Sequence, residues 1–524
     1  MLIEPVHKEN LPRRETSYIF IFTVLFAYIG VVITTIFFHP LWRDEIYTWS
    51  VASASSSLPD LALRKVYDGH PDLWYVLVFM VRQWSDNPVS MQLLHAAIAI
   101  LTVFLVLKYA PFARIQKVLL VFGYFYLFEY AIISRNYAPG LLMITILLTL
   151  NRDRGKHILW KALVLFLLCQ TNVFGVIFTI AYVLTRVFEF AFSRDYRLNL
   201  MKQKAILAFG ILLVLAGIVY SIHTIIPPPS GYYSGITHFS LSQLTLPELI
   251  RSIGTVWRAW VPLPLFQLHF WNTNIIGSDV VLAILSLALM VTAGMLFLKR
   301  PVVFVFYLTG LTGIIAFILM YYYGYLRHHG QLYILLTTSL WMGANYKEKN
   351  IRFKPALIEK YNRWISRNAG NLFLVILIVQ LHAGLFAVGV QFFVPFSAAR
   401  ETAHYIRKNN LDRFCMAGDQ DVALQSVSGY LNSEVFYFSR NGFGTYLVYD
   451  KARSAPDETR ILKMADSLSQ AQGDTLLLIM NYKIGDTATF HLKPIRAFEN
   501  SIVTDEIYYL YLMNRRNDTI PWIR

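Results

Sequence analysis

The stretch that decides the fold is SYIFIFTVLFAYIGVVITTIFFHPLWRDE, residues 17–45. Its first part, residues 17–37, is apolar and long enough to cross a bilayer as a helix, which takes about 20 residues. Arg43, Asp44 and Glu45 follow side by side, and charges there are costly unless they lie in water, pair or take part in chemistry. No small-residue cleavage site follows the run, so we interpret it as a retained first helix rather than a signal peptide.

The rest of the chain repeats this apolar pattern. It has 524 residues, of which 56% are hydrophobic and 15% charged, whereas soluble proteins carry about 25% charged residues. Strand-type alternation is absent, which argues against an outer-membrane barrel. The sequence predicts a polytopic α-helical membrane protein with about eleven transmembrane helices, at 17–37, 92–109, 117–134, 137–151, 158–170, 174–192, 205–226, 279–298, 301–321, 331–346 and 371–394.

The net charge of +15 comes from 47 Lys and Arg residues against 32 Asp and Glu residues. The basic residues cluster between apolar runs, which favours the positive-inside rule over nucleic-acid binding. Nucleic acid is therefore not an expected partner. The two cysteines, Cys169 and Cys415, form no disulfide framework or CxxC metal motif.

The run DLWYVLVFMVRQW, residues 72–84, decides the topology. It is short for a span and contains Arg82, and all the basic loops share one side only if it does not cross. We therefore predict a helix lying in the interface, within a first outer loop at 38–91. The N-terminus is then cytoplasmic, and the chain ends outside the bacterial inner (cytoplasmic) membrane.

The composition changes near residue 396. Strand-like runs at 413–418, 434–439, 445–450, 475–480 and 508–513 are interspersed with polar helical segments such as 457–472. This pattern predicts a transmembrane domain at 1–395 and a small extracytoplasmic α/β domain at 396–524.

Asp44 and Glu45 have two interpretations. They can cap an interfacial helix, or one of them can face an outer cavity as a general base or as a ligand of Mg²⁺ or Mn²⁺. Adjacent carboxylates point in different directions on a helix. One can therefore act in chemistry while the other caps the helix or pairs with Arg43.

Two further outer segments carry polar candidates. In YDGHPD, residues 67–72, His70 and Asp72 form either a proton relay or metal-ligand pair, or a capped turn with a solvated histidine. In ISRNYAPG, residues 133–140, Arg135 either snorkels to headgroups or binds a phosphate through its planar fork of donors.

The last candidate segment is YGYLRHHGQLY, residues 323–333. Arg327, His328 and His329 form a cationic triplet in a tyrosine-rich setting, which favours an anion such as a lipid phosphate. At another outer turn, Asn172 is either a polar contact or part of a simple turn. Together these groups predict a reaction on a lipid-linked phosphate at the outer face. A transporter or flippase of a lipid-linked or anionic solute, or a polysaccharide polymerase or ligase, is the alternative.

The ordered set of "DE", "GHP", "SRNYA" and "RHHG" resembles the GT-C fold membrane glycosyltransferases, over about residues 15–395. The resemblance is to bacterial family 39-like enzymes, which are similar to protein O-mannosyltransferases and to the aminoarabinose transferase of lipid A. It implies transfer of a sugar from a polyprenyl-phosphate donor in the membrane lipid to a glycan, lipid or protein acceptor.

The resemblance also assigns roles to residues. It maps the family's first acidic residue onto Asp44, with Glu45 beside it, and its basic residue of the second outer loop onto Arg135. Arg327 with His328 or His329 becomes the phosphate-side group. A second acidic residue is missing from SRNYAPG, so a divalent cation site would need Glu45, His70 or Asp72.

Overall fold

The computed structural model describes the protein over residues 17–153, 155–235, 244–349, 355–472, 475–485 and 487–513. The chain forms a helical bundle followed by an α/β part. The helices of the first part are α1 (Tyr18–Phe38), α2 (Arg43–Ala54), α3 (Leu58–Arg64), α4 (Leu73–Arg82), α5 (Val89–Tyr109), α6 (Arg114–Val121), a π-helix (Phe125–Ile132), α7 (Tyr137–Leu150), α8 (Ile158–Cys169), α9 (Val173–Phe192), α10 (Arg194–Met201), α11 (Lys204–Ile225), a short 3₁₀ turn (Tyr232–Gly235), α12 (Leu246–Trp260), α13 (Asp279–Leu298), α14 (Pro301–Met320), α15 (Leu326–Gly343) and α16 (Ala356–Gln391).

Each predicted span is helical, which confirms the helical membrane architecture. Among the described residues, eight helical stretches are long and apolar enough to cross a membrane: α1, α5, α6 with the π-helix, α9, α11, α13, α14 and α16. The other three predicted spans correspond to α7, α8 and α15. Helices α7 and α8 are apolar but have only 14 and 12 residues, and α15 begins with the polar triplet at 327–329.

Helix α4 occupies the run that decided the predicted topology. Its 10 residues extend about 15 Å at 1.5 Å per residue, which is about half of the hydrocarbon thickness. Trp74 and Tyr75 are buried in one cluster with Trp49 of α2. Helix α4 is therefore too short to cross and instead supports α2.

The α/β part contains α17 (Ala399–Lys408), a 3₁₀ turn (Leu411–Arg413), β1 (Cys415–Asp419), α18 (Asp421–Leu431), β2 (Val435–Tyr437), β3 (Gly442–Gly444), α19 (Glu458–Gln472), β4 (Leu476–Met480), β5 (Leu492–Phe498) and β6 (Tyr508–Met513). The sheet order is β3-β2-β1-β4-β6-β5. Strand β1 pairs in parallel with β2 and β4, and the other pairs are antiparallel.

Strand β4 shows why the sheet lies between helices. All five of its residues are buried, and alternate side chains point to opposite faces. Leu477 and Ile479 pack in the cluster that holds α17 and α18. Leu476, Leu478 and Met480 pack in the cluster that holds α19. A sheet with both faces covered needs such a fully apolar central strand.

Four of the five strand-like runs contain strands, and the run at 445–450 is the exception. There only Asp450 forms a β-bridge, with Gly231 of the loop after α11. Strands β3 and β5 were not anticipated, because β3 has three residues and β5 carries exposed, polar positions.

The α/β part packs on the first turn of α2. Arg43 forms a bidentate ion pair with Asp505, with N–O distances of 2.6 and 3.1 Å, and its backbone N–H donates to Glu506. The backbone N–H of Leu41 donates to the Tyr430 hydroxyl at 2.6 Å. We call the end of the helical bundle that the α/β part covers the domain end.

Candidate active site

A cavity of about 420 Å³ lies between the domain end of the bundle and the α/β part. Its walls come from the first turn of α2, the 67–70 loop, the turn before α7, the starts of α9 and α15, the end of α14, helix α18 and the segment at Tyr449. These segments are remote in sequence. The antiparallel arrangement of the helices brings their ends together.

Asp44 lines this cavity on the N-terminal turn of α2. Its Oδ2 accepts from Nη2 of Arg327 at 2.8 Å, and 27% of its side chain is exposed. Nη1 of Arg135 donates to the backbone carbonyl of Asp44. Burial opposes ionisation of Asp44, but the guanidinium groups of Arg327, Arg135 and Arg43 hold its pKa below the usual range. Asp44 is therefore an ionised carboxylate that faces the cavity.

The guanidinium of Arg327 lies among three aromatic rings. Its guanidinium carbon lies 5.1 Å from the ring centre of Trp42, 5.7 Å from that of Trp271 and 5.0 Å from that of Tyr325. Such cation–π contacts help to position the guanidinium without using its hydrogen-bond donors.

The two arginines of the cavity have donors without acceptors. Nε and Nη1 of Arg327 and Nε of Arg135 are buried and have no hydrogen-bond partner. Both side chains line the cavity. Buried donors are nearly always paired in folded proteins, so this arrangement suits an anion with several oxygen acceptors, such as a phosphate.

His328 lies on the same wall. Its Nδ1 accepts the backbone N–H of Tyr325 at 2.9 Å, so a neutral ring carries its proton on Nε2. The ring packs against Tyr322 and Tyr137. His328 can therefore donate one hydrogen bond within the cavity.

The comparisons with known proteins bear on the fold. No family model matches the sequence, and no curated protein matches it. One solved structure to which the chain is similar is the crystal structure of ArnT from Cupriavidus metallidurans bound to undecaprenyl phosphate. The two chains are 10% identical, the match covers 96% of this chain and 99% of that one, and the TM-score is 0.50.

The chain has a GT-C fold. This confirms the GT-C fold that the ordered motifs predicted. It also agrees with the small α/β part that the strand-like runs after residue 396 predicted. At 10% identity the likeness concerns the fold, so the roles of individual residues depend on the geometry of the cavity itself.

The first turn of α2 directs the Asp44 and Glu45 side chains to different surroundings. Glu45 is fully buried and accepts from the backbone N–H of Ser134 at 2.5 Å and of Trp42 at 3.2 Å, and it contacts Nε2 of His39 at 2.9 Å. It does not line the cavity. Glu45 therefore caps the start of α2 and connects it to the turn before α7. This is the capping role that the sequence offered for one of the two acids.

In the 67–72 loop, His70 and Asp72 do not pair with each other as one of the predictions expected. Asp72 pairs with Lys65 at 2.5 Å and accepts from the Tyr220 hydroxyl, so it anchors the loop to α11. His70 lines the cavity, and its Nδ1 lies 2.8 Å from Oδ2 of Asp68. Gly69, with φ of 69°, provides the left-handed turn that lets these neighbours meet.

Asp68 is the residue that the sequence analysis missed. It accepts from the Tyr75 hydroxyl at 2.6 Å. Burial opposes its ionisation, but His70, Arg135 and Tyr75 keep its pKa well below the usual range. With Asp68 holding Nδ1–H, Nε2 of His70 is left as a proton acceptor. The pair is therefore able to accept a proton from a group bound in the cavity.

Two remaining candidates have structural contacts. His329 lies outside the cavity lining, and its Nε2 contacts the Tyr323 carbonyl at 2.9 Å. Asn172 lines the cavity but also caps α9, since its Oδ1 accepts from the Gly175 N–H at 3.0 Å.

The donor set of the cavity does not fit a divalent cation. No group of three His, Cys, Asp or Glu side chains within the described residues is placed to hold one. Asp44 is engaged by Arg327 and lies beside Arg135, whereas Mg²⁺ and Mn²⁺ need several oxygen ligands. The positive charge beside Asp44 is supplied by the two arginines.

Proposed function

We propose that this chain is a glycosyltransferase that moves a sugar from a polyprenyl-phosphate donor to an acceptor at the outer face of the cytoplasmic membrane. The acceptor is a hydroxyl-bearing glycan, lipid or protein. The bond between the anomeric carbon and the phosphate oxygen breaks, and a bond from that carbon to the acceptor oxygen forms with inversion. The phosphate leaves with the bond electrons, and the acceptor proton passes to a base.

One observation carries this proposal. An ionised carboxylate, Asp44, and two arginines with unpartnered buried donors, Arg327 and Arg135, share one cavity. The carboxylate suits removal of the acceptor proton, and the donors suit the charge that develops on a leaving phosphate. The similar structure of ArnT is bound to undecaprenyl phosphate, which supports a lipid phosphate as the anion.

The ion pair between Asp44 and Arg327 links donor binding to base strength. Without a donor, Nη2 of Arg327 neutralises Asp44. A phosphate competes for the same guanidinium, so Asp44 loses part of its counter-charge when the donor binds. Its basicity then rises only when a donor is present, which limits unproductive proton transfer.

His70 and His328 complete the proposed chemistry. His328 donates its Nε2–H to a phosphate oxygen. His70, oriented by Asp68, passes the proton from the cavity to solvent. His328 thus acts as a hydrogen-bond donor, and His70 acts as a proton relay.

The membrane orientation is part of the proposal. The basic loops of the sequence favour a cytoplasmic N-terminus. With that orientation the domain end, the cavity and the α/β part face the outside of the bacterial inner membrane. Lipid-linked sugars are the donors suited to a compartment without nucleotide sugars.

The cavity favours transfer over transport. Asp44, Asp68, Arg135 and Arg327 all lie at the domain end, whereas a transporter needs its polar site near the middle of the membrane and access from both sides. Undecaprenyl-phosphate sugars moved across vesicles without any product would support transport instead.

The proposal is tested with Asp44→Asn in proteoliposomes. The assay follows release of undecaprenyl phosphate from radiolabelled undecaprenyl-phosphate glucose, galactose, mannose and 4-amino-4-deoxyarabinose, with a membrane extract as acceptor source. We expect the rate to fall about 10²- to 10⁴-fold, the usual contribution of a general base. The exposed Asp412→Asn is the matched control. Full activity of Asp44→Asn would contradict the proposal.

A further inference from the structure

The α/β part supplies one wall of the cavity through α18. This helix packs directly on α2, which carries Asp44. A Cβ at Gly429 would lie 2.4 Å from Cγ1 of Ile46 and 2.7 Å from Oγ of Ser50. The absence of a side chain at 429 therefore allows the close contact that brings α18 to the cavity.

Gln425 projects from α18 into this wall. Its side chain is 1% exposed and lines the cavity. Its amide group interacts with the neighbouring Tyr449 hydroxyl, and its Oε1 is buried without a partner. Buried polar atoms are nearly always paired, so the free Oε1 calls for a ligand that donates a hydrogen bond.

The surroundings of Gln425 define the chemistry of that ligand. The neighbouring rings are tyrosines: Tyr449 lies 5.8 Å from Tyr47 and 5.7 Å from Tyr233, measured between ring centres. The residues that α18 and the 449 segment add to the lining are uncharged, whereas Asp44, Arg135 and Arg327 line the wall formed by the bundle. A hydroxyl group both donates and accepts, and so does an amide side chain. Aromatic walls with few polar groups are typical of sites that orient an uncharged ring.

We propose that Gln425 and Tyr449 bind a hydroxyl group of the transferred sugar, so that the α/β part selects the sugar while Arg135 and Arg327 hold the phosphate. This inference rests on the proposed function. It divides the donor between two walls: the bundle binds its phosphate and the α/β part binds its sugar.

The test compares two kinds of lipid on the purified full chain in nanodiscs. Bare undecaprenyl phosphate carries only the phosphate, and undecaprenyl-phosphate glucose, galactose, mannose and 4-amino-4-deoxyarabinose carry a sugar as well. Binding is measured by the change in tryptophan fluorescence. We expect at least one sugar-bearing lipid to bind more tightly than the bare lipid, and we call this difference the sugar increment.

Gln425→Leu keeps the size of the side chain and removes its polar atoms. We expect it to bind the bare lipid like the wild type and to lose about 3- to 10-fold in affinity for the preferred sugar-bearing lipid, the usual effect of one neutral hydrogen bond. Gln470→Leu makes the same substitution on the exposed face of α19 and should change neither affinity. Arg327→Gln should weaken both kinds of lipid.

Several outcomes overturn the inference. An unchanged sugar increment in Gln425→Leu would do so, as would equal losses for both lipids, which indicate a structural role. If Gln425→Leu does not fold, Tyr449→Phe removes a single hydroxyl and carries the same expectation and the same refutation. A wild-type protein that binds no sugar-bearing lipid more tightly than the bare lipid also overturns it.

These failures differ from failure of the proposed function. If the sugar increment is insensitive to Gln425 but Asp44→Asn still loses transfer, only the sugar-binding role is wrong. If Asp44→Asn transfers at the wild-type rate, the function itself is wrong.

Discussion

Arg327 offers the sharpest test of the cavity, through the pair Arg327→Gln and Arg327→Lys. Two of its donor atoms, Nε and Nη1, are buried without partners, and we assign both to the donor phosphate. Hydrogen bonds that involve a charged group contribute about 1.5–3 kcal/mol each, so losing both costs about 3–6 kcal/mol. At about 1.4 kcal/mol per tenfold change, kcat/KM of Arg327→Gln should fall about 10²- to 10⁴-fold.

The lysine variant separates charge from geometry. Its ammonium keeps the charge but cannot offer two parallel donors, and it loses the contacts of the guanidinium with the rings of Trp42 and Trp271. We expect Arg327→Lys to lose about 10- to 100-fold, less than the glutamine variant. Arg496→Gln, at an exposed position of β5, is the control for expression and reconstitution.

The pH profile gives a second readout from the same variants. Transfer needs ionised Asp44, so kcat/KM falls as the pH drops through the pKa of Asp44. In the wild type the pKa lies below its usual range, first because of Arg327 among the neighbouring cations. Removing that charge raises the pKa, so the acid limb of Arg327→Gln should shift to higher pH. Wild-type kcat/KM in Arg327→Gln, or an acid limb at an unchanged pH, would refute the reasoning.

Three further predictions concern other parts of the structure. Glu45→Gln should lower the stability by about 1–3 kcal/mol, because it removes charge from a buried acceptor of several donors. A thermal melt in detergent measures the change. A loss of transfer at unchanged stability would contradict the structural role of Glu45. Burial raises the pKa of Glu506 to about 7, so the free energy of unfolding should fall as the pH rises from about 5 towards 8. Glu506→Gln should flatten this dependence in thermal melts across that pH range. A wild-type profile without a slope would contradict the prediction. EDTA should leave transfer unchanged, since two arginines supply the positive charge beside Asp44; inhibition that added Mg²⁺ or Mn²⁺ reverses would show that a cation takes part.

The sequence was sufficient to place Asp44, Arg135, Arg327 and His328 in one site. Each follows or precedes a membrane-length run, and the positive-inside rule assigns those run ends to one side. Helices that alternate in direction then bring the ends together. Knowing which ends of the apolar runs lie on the same side was enough. The grouping of these four residues could therefore be predicted without knowledge of any side-chain contact.

The choice between neighbouring residues could not be made in that way. Asp44 and Glu45 are adjacent acids, and only the orientation of the first turn of α2 sends one to the cavity and the other to Ser134. His70 pairs with Asp68 rather than Asp72 because the backbone turns at Gly69. A difference of one or two residues depends on backbone angles, which the residue types alone do not determine.

Gln425 carried no signal in the sequence. It lies in the middle of DVALQSVSGYL, and a polar residue on an amphipathic helix is ordinarily solvent-exposed. Its burial follows from a contact between two parts of the chain that share no sequence pattern. Gly429 marks that contact, but one glycine in a helix has many possible explanations.

The pair of Arg43 and Asp505 has a consequence for how the protein is made. The two residues stand 462 positions apart, so a ribosome completes α2 long before it reaches the segment that anchors it. Contacts of such wide separation form late, because the loop between them must close first. Asp44 is next in the chain to Arg43, and its final surroundings are complete only after residue 505 has been synthesised. We therefore expect nascent and truncated chains to enter the membrane without being able to consume lipid-linked sugars.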